Sequence, residues 1–143
     1  MINAKVLLVD DEKDFTATLA KRLARRGVTV SQAHSGPQAL DNLETAPKTE
    51  VVVLDVKMPG MGGLETLRQI KAAHPLVEVI MLTGHASIAS GISGMKLGAF
   101  DYLSKPCNLE LLLSKLDEAA RRRRQHQEKI MEARLHDIAA RRI

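Results

Sequence analysis

The chain has 143 residues, 45% of them apolar, which is enough for one domain whose core needs no covalent staple. The lone Cys107 excludes an internal disulfide, and without an export leader or a run of 18 apolar residues the expected setting is the cytoplasm, away from membrane. Net charge is +4 but uneven: residues 1–120 carry 13 basic and 14 acidic side chains, residues 121–143 carry 8 and 3, and 2% aromatics with no Trp leave no stacking platform for single-stranded nucleic acid.

Strand-like and helix-like segments alternate along the chain with short breaks, the pattern of βαβ units. Lys5 to Val9 is apolar after its first residue, suiting a strand buried on both faces, and it ends in Asp10-Asp11. Phe15, Leu19 and Leu23 then recur at helical spacing, predicting a helix from about Glu12 to Arg26 that Gly27 stops. Val28 to Ala33 reads as a second strand. Ser35-Gly36-Pro37 opens a second helix with Pro near its first turn, and it runs towards Ala46 before Pro47.

Val51 to Leu54 is a third strand ending in Asp55, and the turn-rich Met58 to Gly63 leads into a helix from Leu64 to Ala73. A fourth strand, about Val77 to Leu82, ends in Thr83. The helix after it, roughly Ser87 to Leu97, holds Gly91 and Gly94, each costing on the order of 1 kcal/mol relative to Ala, so it is expected to be the least rigid. Phe100 to Leu103 is a fifth strand ending in Ser104-Lys105, and a fifth helix opens after Asn108 on Leu109, Leu112, Leu113 and Leu116. The expected fold is an α/β, doubly wound, five-stranded parallel sheet of five βα pairs with its fifth helix prolonged.

Parallel strands share one carboxyl edge, so Asp10, Asp11, Asp55, Thr83 and Lys105 are expected to meet there. Three close carboxylates repel unless a hard divalent cation sits among them, and oxygen ligands with waters suit Mg²⁺. Such an ion would leave one carboxylate free as a nucleophile, with Thr83 donating to a phosphoryl oxygen and Lys105 pairing with another. Any one of these residues alone reads equally well as a helix cap or a strand end.

At these residues the chain resembles the receiver domain of two-component response regulators. The resemblance covers about residues 3 to 120 and rests on the acidic pair, Asp55 with Met58-Pro59-Gly60, Thr83-Gly84, Phe100-Asp101-Tyr102 and Lys105-Pro106. It implies a flavodoxin-like fold and Asp55 as acceptor of phosphate from a sensor histidine kinase. It also implies Mg²⁺ on Asp11, Asp55 and the Lys57 backbone carbonyl with Asp10 assisting, and a cis Lys105-Pro106 bond. Thr83 and Tyr102 would form a switch that reshapes the face of the fourth helix, fifth strand and fifth helix for a downstream protein. Lys57 and His85 would tune phosphate lifetime. Gly84-His85-Ala86 and the run Met95 to Leu103 look most like the receivers of enhancer-binding transcription activators. Gly62 departs from the family pattern, which often has Asp there to cap the third helix.

The reading is a phosphorylation-dependent switch, a phosphoacceptor rather than a turnover enzyme. Two rivals stay open. One is the receiver part of a DNA-binding transcription regulator; the other is an aspartate-nucleophile phosphatase, disfavoured because the first strand ends in Asp10-Asp11-Glu12 rather than Asp-x-Asp. Residues 121–143 form a basic helical extension after the 1–120 domain, expected as a solvated charged helix. Leu109, Leu112, Leu116, Ala119, Arg123, His126, Ile130 and Ala133 follow a three-four spacing broken by two polar members, a weak coiled-coil signal. Homodimerisation through the extension or through the fourth and fifth helices stays open; nucleic-acid binding is not expected of these residues alone. His34, His74, His126 and His136 lack metal-ligand spacing and are expected to be solvated, and Cys107 is expected to be a helix-start filler.

Overall fold

A computed structural model describes residues 2–141. Five strands, β1 (Lys5–Val9), β2 (Thr29–Ala33), β3 (Val51–Leu54), β4 (Glu78–Thr83) and β5 (Asp101–Ser104), alternate with five helices, α1 (Lys13–Ala24), α2 (Gly36–Thr45), α3 (Gly63–Ala73), α4 (Ile88–Lys96) and α5 (Leu109–Ala140). The strands form one parallel sheet in the order β2-β1-β3-β4-β5. None of the described helices is long and apolar enough to cross a membrane.

The period-2 alternation of the strands decides which helices cover which face. Val6, Leu8, Val51, Val53, Ile80 and Leu82 point to one side, where Leu19 and Leu23 of α1 and Leu112, Leu113 and Leu116 of α5 pack on them. Leu7, Val9, Val52, Leu54, Val79 and Met81 point to the other, against Leu43 of α2 and Leu67 and Ile70 of α3. Both faces are therefore covered, which is why β1, β3 and β4 read as unbroken apolar runs while the edge strand β2 does not.

Element ends move by a residue or two from the expected ones. Glu12 takes the N-cap position of α1, without a side-chain capping bond, rather than opening the helix, and the turn to β2 falls at Arg25–Gly27, where Gly27 takes φ 92°. β4 and β5 each start and end one residue later than their apolar runs, so Thr83 and Ser104 belong to the strands and pair with each other. Ser35 caps α2 by accepting from the Gln38 amide, whereas Gly62 gives α3 no side-chain cap, as its sequence departure implies.

At the start of the extension, Arg122, Arg123 and Arg124 are not free in solvent but reach the body of the domain. Arg124 pairs with Glu50 at 2.6 Å and reaches the Asn3 carbonyl, Arg122 pairs with Glu78 at 3.2 Å, and Arg123 donates to the Pro47 carbonyl at 3.3 Å. These partners sit at or near the amino ends of β1, β3 and β4, opposite the edge where the polar strand ends gather. The three-four track marks the body-facing side of α5 as far as the half-buried Arg123 and His126, and from Gln127 to Arg141 the helix is exposed. There Met131, Leu135 and Ile138 form an open apolar stripe that the track did not include.

Candidate functional site

The sheet order reverses at β1, so β1 and β3 diverge into helices on opposite faces and leave a crevice beyond their carboxyl ends. Asp10 and Asp55 stand on its two sides. Their backbones continue the ladder, Asp10 N–H donating to the Ala33 carbonyl (3.1 Å) and Asp55 N–H to that of Val9 (3.0 Å), which fixes their positions before any side-chain contact forms. The chain after Asp55 turns tightly against itself. A Cβ on Gly63 would collide with the Asp55 carbonyl oxygen, so only glycine allows this approach of α3.

Asp10 and Asp55 are buried at 3% exposure, Asp11 is exposed, and one carboxylate oxygen from each lies within 4.8 Å of the other two. Lys105 follows β5 through its N–H bond to the Thr83 carbonyl (2.9 Å). Its ammonium lies 2.5 Å from Asp10 Oδ2, 3.3 Å from Glu12 Oε1 and 3.9 Å from Asp55 Oδ2, and it rests 4.0 Å from the centroid of the Phe15 ring. The Lys105–Pro106 bond is cis.

Burial pushes the Asp55 carboxyl above its ordinary value, opposed by the Thr83 hydroxyl; the charge of Asp10 adds to the rise, while Lys105 and the Lys57 amide pull against it. Asp55 Oδ1 is buried with no hydrogen-bond partner among the described residues. For Lys105, burial disfavours the ammonium, but Asp10, Asp55 and Glu12 outweigh it and hold the group above its ordinary value. The donor set, all carboxylate oxygens around an orphaned buried acceptor, fits a hard divalent cation. Asp10 Oδ1 is engaged with the Glu12 amide at 3.0 Å.

Thr83 is fully buried at the end of β4, and its hydroxyl accepts from the His85 amide at 3.0 Å. Lys57 and His85 line an open cleft of about 460 Å³ together with Asp11, Glu12, Asp55, Met58 and Pro59. Tyr102 stands apart from the carboxylates. It is half-buried against α4, with its hydroxyl 2.5 Å from Ser90 Oγ.

The crevice thus gathers Asp10, Asp11, Asp55, Thr83 and Lys105 as expected, with Lys57 and His85 at its rim and Tyr102 outside it. Three participants were not singled out from sequence: Glu12 and Phe15 beside Lys105, and His34, whose Nδ1 lies 3.1 Å from the Asp10 carbonyl. Nothing in their spacing marks them, because each joins the site only through folding. His34, His74 and His126 are half-buried rather than solvated, only His136 of the four being exposed as expected, and His74 Nε2 lies 3.2 Å from Glu44.

A model of the response regulator receiver domain matches residues 6–117. The chain is 37% identical over 112 residues to the DNA-binding transcriptional regulator NtrC of Klebsiella pneumoniae, which covers 78% of this chain but only 24% of NtrC. Among solved structures, a response regulator receiver domain protein from Clostridium thermocellum has a TM-score of 0.81 at 36% identity, over 85% of this chain and 98% of that one. A response regulator protein from Burkholderia pseudomallei, solved with a phosphorylated aspartic acid, a calcium ion and citrate, has a TM-score of 0.74 at 36% identity, over 90% of this chain and 74% of that one.

Proposed function

The chain belongs to the response regulator receiver domain family, and from that membership we propose that it is a phosphorylation-dependent switch whose acceptor is Asp55 and whose donor is the phosphohistidine of a sensor kinase. The observation that carries the choice of Asp55 is its orphaned Oδ1, a buried carboxylate oxygen without a partner at the mouth of the β1/β3 crevice. Asp10 is already committed to Lys105 and to the Glu12 amide. The Burkholderia relative, solved with a phosphorylated aspartic acid and a calcium ion, supports the same chemistry.

In this reading an Asp55 oxygen attacks phosphorus and forms an acyl phosphate as the P–N bond breaks, its electron pair leaving on the imidazole. Asp10, Asp11, Asp55 and the Lys57 carbonyl would hold Mg²⁺, which supplies charge neutralisation for the carboxylates and the incoming phosphoryl oxygens. Lys105, whose ammonium already lies 3.9 Å from Asp55 Oδ2, exchanges part of its contact with Asp10 for a phosphoryl oxygen. The Thr83 hydroxyl, which accepts from the His85 amide through a lone pair, turns its proton to another phosphoryl oxygen. Lys57 and His85, on the rim, set the access of water and hence the lifetime of the phosphate.

Output is assigned to the face of α4, β5 and α5. Ile88, Ile92 and Met95 form an exposed apolar stripe at helical spacing along α4, suited to a downstream protein that recognises its orientation. A role as the receiver of a longer DNA-binding regulator is favoured by NtrC, of which this chain spans about a quarter. In either setting we place the domain at 1–120 and the extension at 121–143, and turnover of phosphomonoesters is not part of the proposal. An Asp55→Asn variant should take up no phosphate from a cognate kinase or a small phosphodonor with Mg²⁺; undiminished uptake by that variant would overturn the assignment.

A further inference from the structure

Tyr102 is tied to the first turn of α4 by more than packing. Ser87 caps that helix, its hydroxyl accepting from the Ser90 amide (3.1 Å), and Ser90 Oγ accepts in return from the Ser87 amide (3.3 Å), closing a capping box. The Tyr102 hydroxyl joins this pair, 2.5 Å from Ser90 Oγ and 3.4 Å from the Ser87 amide nitrogen. A serine hydroxyl has one proton to give and two lone pairs. Ser90 Oγ also lies 2.8 Å from Ser87 Oγ and 3.2 Å from the Ser87 carbonyl, so its one proton and two lone pairs are shared among Tyr102, the Ser87 amide and these two oxygens.

The ring of Tyr102 lies along the side of α4 that has no side chains. A Cβ on Gly91 would meet it at 3.6 Å and one on Gly94 at 3.8 Å, both ordinary contact distances. The two glycines therefore leave a shallow seat for the ring, and Ser90 supplies the only side-chain hydrogen bond to its hydroxyl among the described residues. At the other end of the same short segment, the Thr83 hydroxyl holds the His85 amide. Only three residues, Gly84 to Ala86, separate Thr83 from the capping box.

We infer that Ser90 is a positioning residue of the switch: its hydroxyl latches Tyr102 to the capping box of α4, and this latch must open when Tyr102 repositions. The inference rests on the assignment of Thr83 and Tyr102 as the switch pair. Opening the latch gives up the contacts of the Tyr102 hydroxyl with Ser90 Oγ and, more weakly, with the Ser87 amide, and releases the ring from the first turn of α4 while the capping box stays closed, which ties ring position to helix position. Removing the latch biases the equilibrium towards the repositioned state before any phosphate arrives.

Tyr102 is the only tyrosine and the chain has no Trp, so 3-fluorotyrosine incorporation gives a single ¹⁹F resonance that reports this ring alone. The test titrates the full chain with beryllofluoride in the presence of Mg²⁺ and follows that resonance, with the Gly91 and Gly94 amides as a second readout. Ser90→Ala should reach half-conversion at a beryllofluoride concentration roughly fivefold lower than wild type, the ratio expected for one neutral hydrogen bond. Tyr102→Phe, followed on the amides, keeps the capping box and should give the same shift, and the double variant should give no further shift. An unchanged or higher midpoint for Ser90→Ala, or additive shifts in the double variant, would overturn the latch and leave Ser90 as a helix cap. A wild-type protein that does not respond to beryllofluoride at all would instead overturn the switch assignment, and the latch with it.

Discussion

Replacing Asp55 by Asn should make the protein more stable, and the structure gives both the sign and the size. Asp55 is 3% exposed, its Oδ1 has no partner, and the one nearby cation, Lys105, is 3.9 Å from Oδ2 and closer to Asp10. A buried acceptor left unsatisfied costs about 1–3 kcal/mol and more when charged; partial compensation by the Thr83 hydroxyl, Lys105 and the Lys57 amide leaves about 1–2 kcal/mol to be recovered by a neutral amide of the same shape. For a chain of this size that corresponds to a rise in Tm of about 4 °C. The pH dependence follows from the raised Asp55 carboxyl. A folded-state value above the unfolded one means that the fold binds this proton more tightly, so stability falls as pH rises from the unfolded carboxylate value through the folded one. The advantage of Asp55→Asn should therefore be absent at pH values below the ordinary carboxylate range and complete at neutral pH. Thermal unfolding of both proteins in EDTA across a pH series measures this directly. Added Mg²⁺ should raise the Tm of the wild type more than that of the variant, closing the gap by binding linkage. A variant no more stable than wild type at neutral pH in EDTA would refute the reasoning, since it would mean that the buried carboxylate carries no penalty.

Two further predictions concern structure around the site and at the opposite edge of the sheet. Gly63→Ala places a Cβ against the Asp55 carbonyl oxygen and should cost more than about 2 kcal/mol while altering the amide resonances of Asp55 and Val56; a cost under about 0.5 kcal/mol would show that the loop yields freely. Arg124→Ala strands Glu50, a buried residue whose side chain, among the described residues, is otherwise bonded only to the Lys5 amide at 3.1 Å, and should cost about 2 kcal/mol in urea unfolding. Arg121→Ala, which loses only an exposed i,i+4 pair with Asp117, should cost under about 0.5 kcal/mol. Equal costs for the two arginines would contradict the docking of the run on the body.

Much of the fold was legible because both faces of the sheet are covered: β1, β3 and β4 needed continuous apolar runs, and the helices needed the 3.6-residue stripe that Leu19 and Leu23 or Leu112 and Leu116 supply. The site was legible for a related reason. In a parallel sheet a residue just past a strand has its location fixed by the ladder, so Asp10, Asp55 and Lys105 could be placed without side-chain knowledge. What the sequence concealed are contacts whose partners are far apart along the chain. The basic run looked like a free tail because its acidic partners, Glu50 and Glu78, precede it by 74 and 44 positions and face it only once β3 and β4 align. Similarly, Phe15 looked like one more core position of α1, and its place under Lys105 depends on the approach of the β5–α5 turn. Ser90 looked like an ordinary polar residue in a glycine-containing helix. Its contact with Tyr102 appears only when α4 lies against β5.

The central claim, that Asp55 receives the phosphoryl group, is tested most directly by locating the modification. The full chain is phosphorylated with a small phosphodonor and Mg²⁺, reduced with borohydride, and mapped by mass spectrometry, since an aspartyl phosphate is converted to homoserine by this reduction. Homoserine at position 55, dependent on Mg²⁺, is the predicted result; homoserine at Asp10 or Asp11, or a phosphate retained on a serine, threonine or histidine with position 55 unmodified, would contradict it.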